Sequence, residues 1–354
     1  MNFILDEESV LFAETLREIL DSSCTPDAVR ASWHDASGAV HGLWEVLADT
    51  GVLGLLVPED YGGLGMGQVD QVLMLEELGR TACPEPVAEH SAVAVPLLRD
   101  MASTAIQEEW LSRAADGSAV LTAGSPAGDP SRPLVLAAER ADLVVLAIDN
   151  TLHAVPAAAL STVAQVSVDG SRRLARVEAT TSSETLVSTD PSAVVALWNH
   201  GAWAAAAQAV GVAQRLLDLT VAYVSEREQF GRPVGVNQAV KHHCSNLAIA
   251  IEFARPMVHA AAWSLATGRA PEGTVPPEAI DVGPSVVVSM AKALASDAVD
   301  LGCRSALQCH GAIGYTIEHD LQLWLKRGWA LSASWGDARR HRLRVANGLG
   351  LVEA

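Results

Sequence analysis

The sequence predicts a mainly α-helical protein with a small β-domain in its middle. Apolar residues recur at helical spacing before about residue 117 and again after about residue 192. Between these regions, short apolar runs alternate with Gly, Pro, Asp and Ser, which is typical of β-strands and turns. We therefore predict an N-terminal helical domain over 1–116, a β-domain over 117–191 and a C-terminal helical bundle over 192–354.

The N-terminal domain begins with an amphipathic pattern. Phe12, Leu16 and Leu20 lie on one helical face behind the acidic run DEE, and acidic side chains stabilise the N-terminus of a helix. The segment GVLGLLVPEDYGGLG at 51–65 contains a proline and several glycines, so we predict a loop there. Further helices are predicted over about 41–51, 68–79, 87–103 and 105–115.

The β-domain is short. Runs such as AVLTA, PLVLAA and DLVVLAI between 118 and 190 have the apolar composition of strands. A length of about 70 residues is modest for a β-sandwich.

Long helical patterns return after the β-domain. We predict helices over about 196–226, 236–268, 284–312, 318–331 and 338–348. Long helices joined by short breaks indicate a helical bundle.

Charge and composition exclude several function classes. The net charge of −18 disfavours binding to nucleic acid or to an anionic membrane. The longest apolar stretch, 202–224, contains charged and amide side chains and is too polar to span a membrane. The first nine residues lack a signal-peptide pattern, so we expect a cytoplasmic protein.

The five cysteines favour buried thiols over a metal site. Their number is odd, and no two have the spacing of a zinc knuckle. Cys303 and Cys309 lie six residues apart beside His310, which leaves metal binding as the less favoured alternative.

The first segment that suggests chemistry is REQFGRPV at 227–234, between two predicted helices and followed by Gln238. Arg227 could present a bidentate fork to a phosphate, and Phe230 could pack on a flat ring. Gly231 would allow a sharp turn. The alternative is an ordinary turn between helices with solvated charges.

The second such segment is QCHGAIGYTIE at 308–318, where one predicted helix ends and another begins. The amide of Gln308 and exposed backbone N–H groups near Gly311 suit a pyrophosphate. The alternative is a plain glycine cap at the C-terminus of a helix.

Four segments in this order resemble the acyl-CoA dehydrogenase family. The first segment matches the family's Arg-x-x-Phe-Gly…Gln element. The second matches its Gln-x-x-Gly-Gly-x-Gly element, with Ala312 in place of the second Gly. FILDEE at 3–8 resembles the family's first helix, and PEDYGGLGMG followed by LEELGR resembles a further signature. The resemblance covers about 1–116 and 196–350.

The resemblance implies a fold, a cofactor and a reaction. The family has an N-terminal helical domain, a central β-domain and a C-terminal four-helix bundle, and it binds FAD. A Glu takes the α-proton of an acyl-CoA while the β-hydride passes to the flavin. An electron-transferring flavoprotein is the expected electron acceptor. Carried over to this chain, the contacts to FAD are Arg227, Gln229, Phe230 and Gln238 near the adenosine, with Gln308, Gly311 and Ala312 near the pyrophosphate.

The chain departs from the family at both known positions of the catalytic Glu. One position is occupied by Trp335, and the other falls on the pair Gly201–Ala202. His200 and Asp337 are the nearest titratable side chains, and each is more often a cap or a solvated group than a base. We therefore assign no catalytic residue to this chain. We expect Trp335 and Trp203 to fill the space that a substrate would otherwise take.

The predicted β-domain also departs from the family. The stretch TAGSPAGDPSRP at 122–133 replaces a family motif that faces the flavin ring, and no Trp occurs between Trp110 and Trp198. The resemblance implies that the Arg-x-x-Phe-Gly and Gln-x-x-Gly-Gly elements reach across a dimer interface to the FAD of the neighbouring subunit. The chain thus keeps the residues that it would contribute to a neighbour's FAD site and lacks the residues that would face the flavin ring in its own site.

This pattern resembles the non-catalytic subunit of α2β2 heterotetrameric acyl-CoA dehydrogenases of steroid side-chain degradation. A homologous partner subunit would then supply the Glu and most of the acyl-CoA site. The alternatives are a self-sufficient homomeric dehydrogenase with a relocated base and a non-enzymatic scaffold.

Overall fold

The computed structural model describes residues 5–125, 132–271 and 283–351 and confirms the predicted fold class, mainly α-helical with a small β-domain. Asp6 caps the first helix, because its carboxylate accepts a hydrogen bond from the Ser9 amide at 2.7 Å. The helices before the sheet are α1 (Glu7–Ser23), α2 (Pro26–Ser32), α3 (Leu43–Asp49), α4 (Gln68–Arg80), a π-helix (Ala88–Ala94), α5 (Val95–Met101) and α6 (Thr104–Ala115).

Two details of the N-terminal region differ from the prediction. The helix predicted over 87–103 is a π-helix that continues into α5, where Pro96 lacks the N–H that a regular helix would use. Helix α2 was not predicted, although Thr25 caps it and Pro26 occupies its first position. The loop predicted at 51–65 is confirmed apart from one 3₁₀ turn, Glu59–Tyr61.

The β-domain is a seven-stranded sheet with strand order β5-β6-β2-β1-β3-β4-β7. Strands β1 and β3 pair in parallel, and the other neighbours pair antiparallel. Residues 126–131 of the stretch TAGSPAGDPSRP lie outside the described residues. The strands are β1 (Leu121–Ser125), β2 (Leu134–Leu136), β3 (Leu143–Ile148), β4 (Thr151–Pro156), β5 (Leu160–Gln165), β6 (Leu174–Ala179) and β7 (Leu186–Ser188).

Long helices form the C-terminal part. Helix α7 begins at Pro191, five residues before the predicted start, because the Asp190 side chain accepts a hydrogen bond from the Ser192 amide. A short hairpin, β8 (Glu228–Gln229) and β9 (Arg232–Pro233), separates α7 from α8. The helices are α7 (Pro191–Glu226), α8 (Gln238–Thr267), α9 (Pro284–His310), α10 (Leu321–Ala333) and α11 (Ala338–Gly348). Within the described residues, no helix is long and apolar enough to cross a membrane.

Two glycines allow the N-terminal part to pack closely on the bundle. A Cβ atom on Gly211 of α7 would lie 1.9 Å from the carbonyl oxygen of Glu76 on α4. A Cβ atom on Gly79 of α4 would lie 2.0 Å from the carbonyl oxygen of Gln208. Only glycine permits this backbone-to-backbone approach of α4 and α7.

A buried ion pair joins the β-domain to α10. Arg327 of α10 pairs with Asp169 in the segment before β6, and both side chains are 2% exposed. Arg327 also donates to Ser171 Oγ at 2.9 Å and to the carbonyl oxygen of Cys83, after α4, at 2.8 Å. One guanidinium thus holds all three parts of the chain together.

Candidate functional site

The segments predicted to contact FAD meet at one end of the C-terminal bundle. Tyr223, in the last turn of α7, stacks on His310 at the end of α9, with ring centroids 4.3 Å apart. The Tyr223 hydroxyl donates to the His310 carbonyl oxygen at 3.5 Å. This contact places the α7–α8 hairpin beside the α9 terminus, so the structure brings the two predicted segments together.

The hairpin presents Phe230 to solvent. Phe230 and Gly231 form its turn with φ values of 55° and 75°, the left-handed pair that two-residue hairpins require. Glycine adopts this conformation readily, whereas Phe230 is strained in it. The Phe230 side chain is 100% exposed, and an apolar ring held in this way is typical of a binding surface.

The polar side chains of the two segments are exposed and have free hydrogen-bonding groups. Within the described residues, the Arg227 guanidinium forms no ion pair, and the side-chain amides of Gln238 and Gln308 form no hydrogen bond. In the described part of the chain, the side-chain amide of Gln229 donates a hydrogen bond only to the carbonyl oxygen of its neighbour Glu228, at 2.8 Å. These groups can therefore bind an anionic or polar ligand without first breaking an internal contact.

The joint after α9 has an exposed backbone. Gly311 has a φ of 65°, a left-handed backbone conformation that favours glycine. A Cβ atom there would meet nothing within 4 Å, so a larger side chain would not clash with its neighbours. A 3₁₀ helix, Gly311–Tyr315, follows, and Ala312 in it is exposed. Beneath it, burial lowers the pKa of His310, whose Nδ1 lies 2.8 Å from the Ala306 carbonyl oxygen.

Trp335 and Gly201, the residues that we expect at the two family positions of the catalytic Glu, pack against each other. A Cβ atom on Gly201 would lie 2.1 Å from the indole of Trp335, so only glycine leaves room for it. The Trp335 carbonyl oxygen accepts a hydrogen bond from Trp198 Nε1 at 2.6 Å, and His341 Nε2 lies 3.0 Å from it. The structure therefore brings Gly201 and Trp335 together, and neither residue has a carboxylate.

The two titratable side chains that lie nearest to these positions in the sequence have structural contacts. Asp337 caps α11, because its carboxylate accepts a hydrogen bond from the Arg340 amide at 2.8 Å. His200 is buried, its Nδ1 lies 3.0 Å from the Ala92 carbonyl oxygen, and burial lowers its pKa to about 4. A histidine with this pKa is neutral near pH 7 and holds a proton only weakly.

The expectation that Trp335 and Trp203 fill the space that a substrate would otherwise take is wrong. Trp203 is fully buried and Trp335 is 5% exposed, so both occupy the interior. However, a cleft of about 290 Å³ remains open beside Trp335, between the β-sheet and α10. Its wall includes Glu89 of the π-helix, a buried carboxylate that we did not single out in the sequence. No motif surrounds Glu89, and only the fold brings it near Trp335.

The geometry is consistent with the family that the chain matches. The family model "Acyl-CoA dehydrogenase, N-terminal domain" matches residues 6–118, and "Acyl-CoA dehydrogenase, C-terminal domain" matches residues 192–350. The chain belongs to the acyl-CoA dehydrogenase family.

Individual relatives extend this finding. The chain is 30% identical to acyl-CoA dehydrogenase IpdE2 of Mycolicibacterium smegmatis, over 96% of this chain and 98% of that protein. It is 32% identical to acyl-CoA dehydrogenase IpdE2 of Mycobacterium tuberculosis, over 91% of each chain. Among solved structures, the ChsE4-ChsE5 complex from Mycobacterium tuberculosis contains a chain of the same fold, with a TM-score of 0.87, 23% identity and full coverage of both chains.

The exposed residues at the end of the bundle fit one half of FAD, the cofactor of this family. A glutaryl-CoA dehydrogenase from Mycobacterium smegmatis, solved in complex with FADH2, shares the fold with a TM-score of 0.82 and 18% identity, over 99% of this chain and 96% of that one. The Arg227 guanidinium suits a phosphate, and the Gln238 and Gln308 amides suit polar atoms of a nucleotide. Phe230 offers an apolar face for a ring.

Proposed function

We propose that this chain is a subunit of an FAD-dependent acyl-CoA dehydrogenase and lends the adenine and pyrophosphate half of the FAD site to a partner subunit. The homologous partner supplies the flavin-ring pocket and the catalytic Glu. One observation carries the proposal: Arg227 and its neighbours are exposed at the end of the bundle, whereas Trp335 occupies the chain's own Glu position.

The exposure of the FAD-binding residues supports a role across an interface. A side chain that served a site within this chain would line one of its own clefts. Instead, Arg227, Phe230 and Gln308 point to solvent, and the strained, fully exposed Phe230 gains burial only when another molecule covers it.

Each residue of the lent half-site has a defined task. Arg227 binds the pyrophosphate through its guanidinium fork, and Phe230 packs beside the adenosine. Gln229, Gln238 and Gln308 orient polar atoms of the nucleotide with their amides. Gly311 and Ala312 leave their backbone open to the pyrophosphate. The cofactor supplies the hydride acceptor for dehydrogenation.

Removal of the α-proton requires a base beside the thioester, and this chain offers none at the family positions. Trp335 and Gly201 pack against each other there, His200 is neutral, and Asp337 caps a helix. The proton therefore passes to the Glu of the partner, and an electron-transferring flavoprotein takes the electrons from the complex.

The relatives indicate the kind of assembly and substrate. One solved relative is a complex, ChsE4-ChsE5, and another, Tcur3481-Tcur3483, is called a steroid ACAD. By analogy we propose an α2β2 heterotetramer that dehydrogenates a steroid side-chain acyl-CoA, with the acyl chain bound mainly by the partner.

The substitution Arg227→Ala tests the lent half-site. It removes a charge-assisted phosphate contact of about 1.5–3 kcal/mol, which corresponds to a flavin Kd raised about 10- to 150-fold. The measurement is FAD titration of the deflavinated two-subunit complex. Arg339→Ala, an exposed arginine of α11, is the matched control and should leave the Kd unchanged. An unchanged Kd for Arg227→Ala would refute the half-site.

A second candidate, the self-sufficient dehydrogenase, is favoured by one observation: the cleft beside Trp335 contains the carboxylate of Glu89. In that case Glu89 would be the base, and the chain alone would carry a flavin. Purified alone, the wild type would then oxidise an acyl-CoA, and Glu89→Gln would abolish that activity. A colourless, inactive chain would exclude this candidate.

A further inference from the structure

Three aromatic side chains meet where α7 and α9 end. The rings of Tyr223 and His310 are stacked with an interplanar angle of 18°. The ring of His319, in the segment between the 3₁₀ joint and α10, stands edge-on to both, with its centroid 5.2 Å from that of His310 and 6.3 Å from that of Tyr223. We call these three residues the aromatic cluster. It connects the last turn of α7 to the segments on either side of the joint.

The buried ring of His310 has one bonded and one unbonded nitrogen. His310 is 5% exposed, and its Nδ1 lies 2.8 Å from the Ala306 carbonyl oxygen, so Nδ1 carries the proton of the neutral ring. Its Nε2 is buried and has no hydrogen-bond partner within the described residues. A neutral ring leaves only a lone pair unsatisfied at Nε2, whereas a protonated ring would bury an N–H donor without an acceptor.

The surroundings of His310 contain no negative charge that would stabilise an imidazolium. The titratable side chains that face its ring are Tyr223 of α7 and His319. In the part of the chain that the structure describes, no carboxylate forms an ion pair with His310. The joint contacts His310 through Gly314, which packs beside the apolar side chain of Leu321 of α10.

Burial is the strongest influence on the protonation of His310. Burial lowers the pKa of His310, the Ala306 carbonyl oxygen raises it, and the charge of His319 lowers it again. The face of Tyr223 would attract an imidazolium, but the pKa still lies below its ordinary value, so the loss of water outweighs this attraction. The intact cluster is therefore fully stable above the ordinary histidine pKa of about 6.5 and loses stability as the pH falls below that value.

Two further contacts couple the cluster to its neighbours. The Tyr223 hydroxyl donates to the His310 carbonyl oxygen at 3.5 Å, so a displaced His310 would also release the end of α7. His319 Nδ1 accepts a hydrogen bond from the Leu321 amide at 3.1 Å, at the start of α10. A protonated His319 could not accept this bond. Acid would thus weaken the contacts on both sides of the joint.

We propose that the aromatic cluster is an acid-sensitive contact that holds the α7–α8 hairpin against the joint Gly311–Tyr315 and opens when His310 takes up a proton. The opening is a property of the free chain, whereas its consequence for FAD rests on the proposed function. Arg227 follows Tyr223 by four residues, and Gln308 precedes His310 by two. Opening of the cluster therefore separates these two residues and lowers the affinity of the lent half-site for FAD.

Hydrogen–deuterium exchange of the purified full-length chain tests the contact without a flavin. Between pH 7 and pH 5.5, uptake of one proton on opening should lower the protection of the joint about three- to eightfold, after correction for intrinsic exchange rates. His310→Phe keeps a ring for Tyr223 but cannot titrate, so this change should disappear. His41→Phe, at an exposed histidine before α3, is the matched control and should behave as the wild type.

A second variant covers the case in which His310→Phe does not fold. His310→Gln cannot titrate either, and its amide can still donate to the Ala306 carbonyl oxygen. Protection that falls equally with pH in the wild type and in the non-titrating variant would overturn the proposal. Protection that does not change with pH in the wild type would also overturn it.

FAD titration of the deflavinated two-subunit complex tests the consequence for the half-site. Between pH 7 and pH 5.5, the Kd should rise about three- to eightfold more in the wild type than in His310→Phe. Equal pH dependence of the two Kd values, with a wild-type joint that loses protection, would contradict the coupling to the half-site. The Arg227→Ala titration at pH 7 is independent, because its failure would refute the half-site and leave the exchange result intact.

Discussion

The substitution Arg327→Met should destabilise the protein more than most single changes. It removes the guanidinium that pairs with Asp169 and donates to Ser171 and to the Cys83 carbonyl oxygen. Asp169 is 2% exposed, and its carboxylate would keep its hydrogen bonds from Ser171 and the attraction of the Arg172 charge but would lose its ion-pair partner. Removing one partner of a buried ion pair costs about 3–5 kcal/mol, because the other charge stays buried without compensation.

The expected shift in melting temperature follows from chain length. Unfolding entropy of about 2.1 cal/mol/K per residue gives about 0.74 kcal/mol/K for the 354 residues, if the chain unfolds as one unit. A loss of 3–5 kcal/mol then lowers Tm by about 4–7 °C. Differential scanning calorimetry measures this shift, and the width of the transition shows whether the β-domain still unfolds with the helices.

A second substitution separates the buried charge from the lost packing. Asp169→Asn in the Arg327→Met background removes the uncompensated carboxylate, so we expect it to recover at least half of the lost stability. Burial opposes ionisation of Asp169, but Arg327 and the Ser171 hydroxyl outweigh it and lower its pKa. The wild type should therefore lose this stabilisation only as the pH falls below about 4. A Tm shift below about 1 °C for Arg327→Met would refute the reasoning.

Three further predictions concern stability. Gly211→Ala should lower the free energy of unfolding by about 1–3 kcal/mol, because its Cβ would lie 1.9 Å from the Glu76 carbonyl oxygen. Gly302→Ala in α9 is the control, since its Cβ would meet only leucine methyl groups at 3.3 Å or more, and thermal melts should show a loss of less than about 1 kcal/mol. Burial lowers the pKa of Lys292 to about 7, so between pH 7 and about 10.4 the unfolded chain binds more protons at this residue than the folded chain does. The folded state therefore becomes more stable as the pH rises, and the Tm of the wild type, measured relative to that of Lys292→Met, should rise across that window. Trp335→Ala should cost about 3–5 kcal/mol in urea unfolding, and a smaller loss would mean that the indole is not tightly packed.

The sequence predicted the long elements well because their signals are local. The apolar stripe of α1 and the strand-like runs of the β-domain need no tertiary context to be recognised. The π-helix Ala88–Ala94 could not be predicted, because its apolar spacing resembles that of an α-helix and only hydrogen bonding separates the two.

In the candidate site, too, residues in local motifs could be predicted, whereas residues brought together only by the fold could not. Arg227 and Gln308 belong to motifs with clean spacing, and the structure brings them to one end of the bundle. Glu89 and Arg172 belong to no motif and lie 83 residues apart in the sequence, yet the fold places their charged atoms 3.9 Å apart. Long-range pairing of this kind depends on how the sheet docks against the helices, which one sequence does not encode locally.

Bound flavin per chain tests the central claim, the lent half-site, most directly. Visible absorbance would be compared between this chain purified alone and the same chain co-purified with a homologous acyl-CoA dehydrogenase subunit that retains the Glu. The account predicts no flavin on the chain alone and about one flavin per pair in the complex. A full complement of flavin on the chain alone would contradict it.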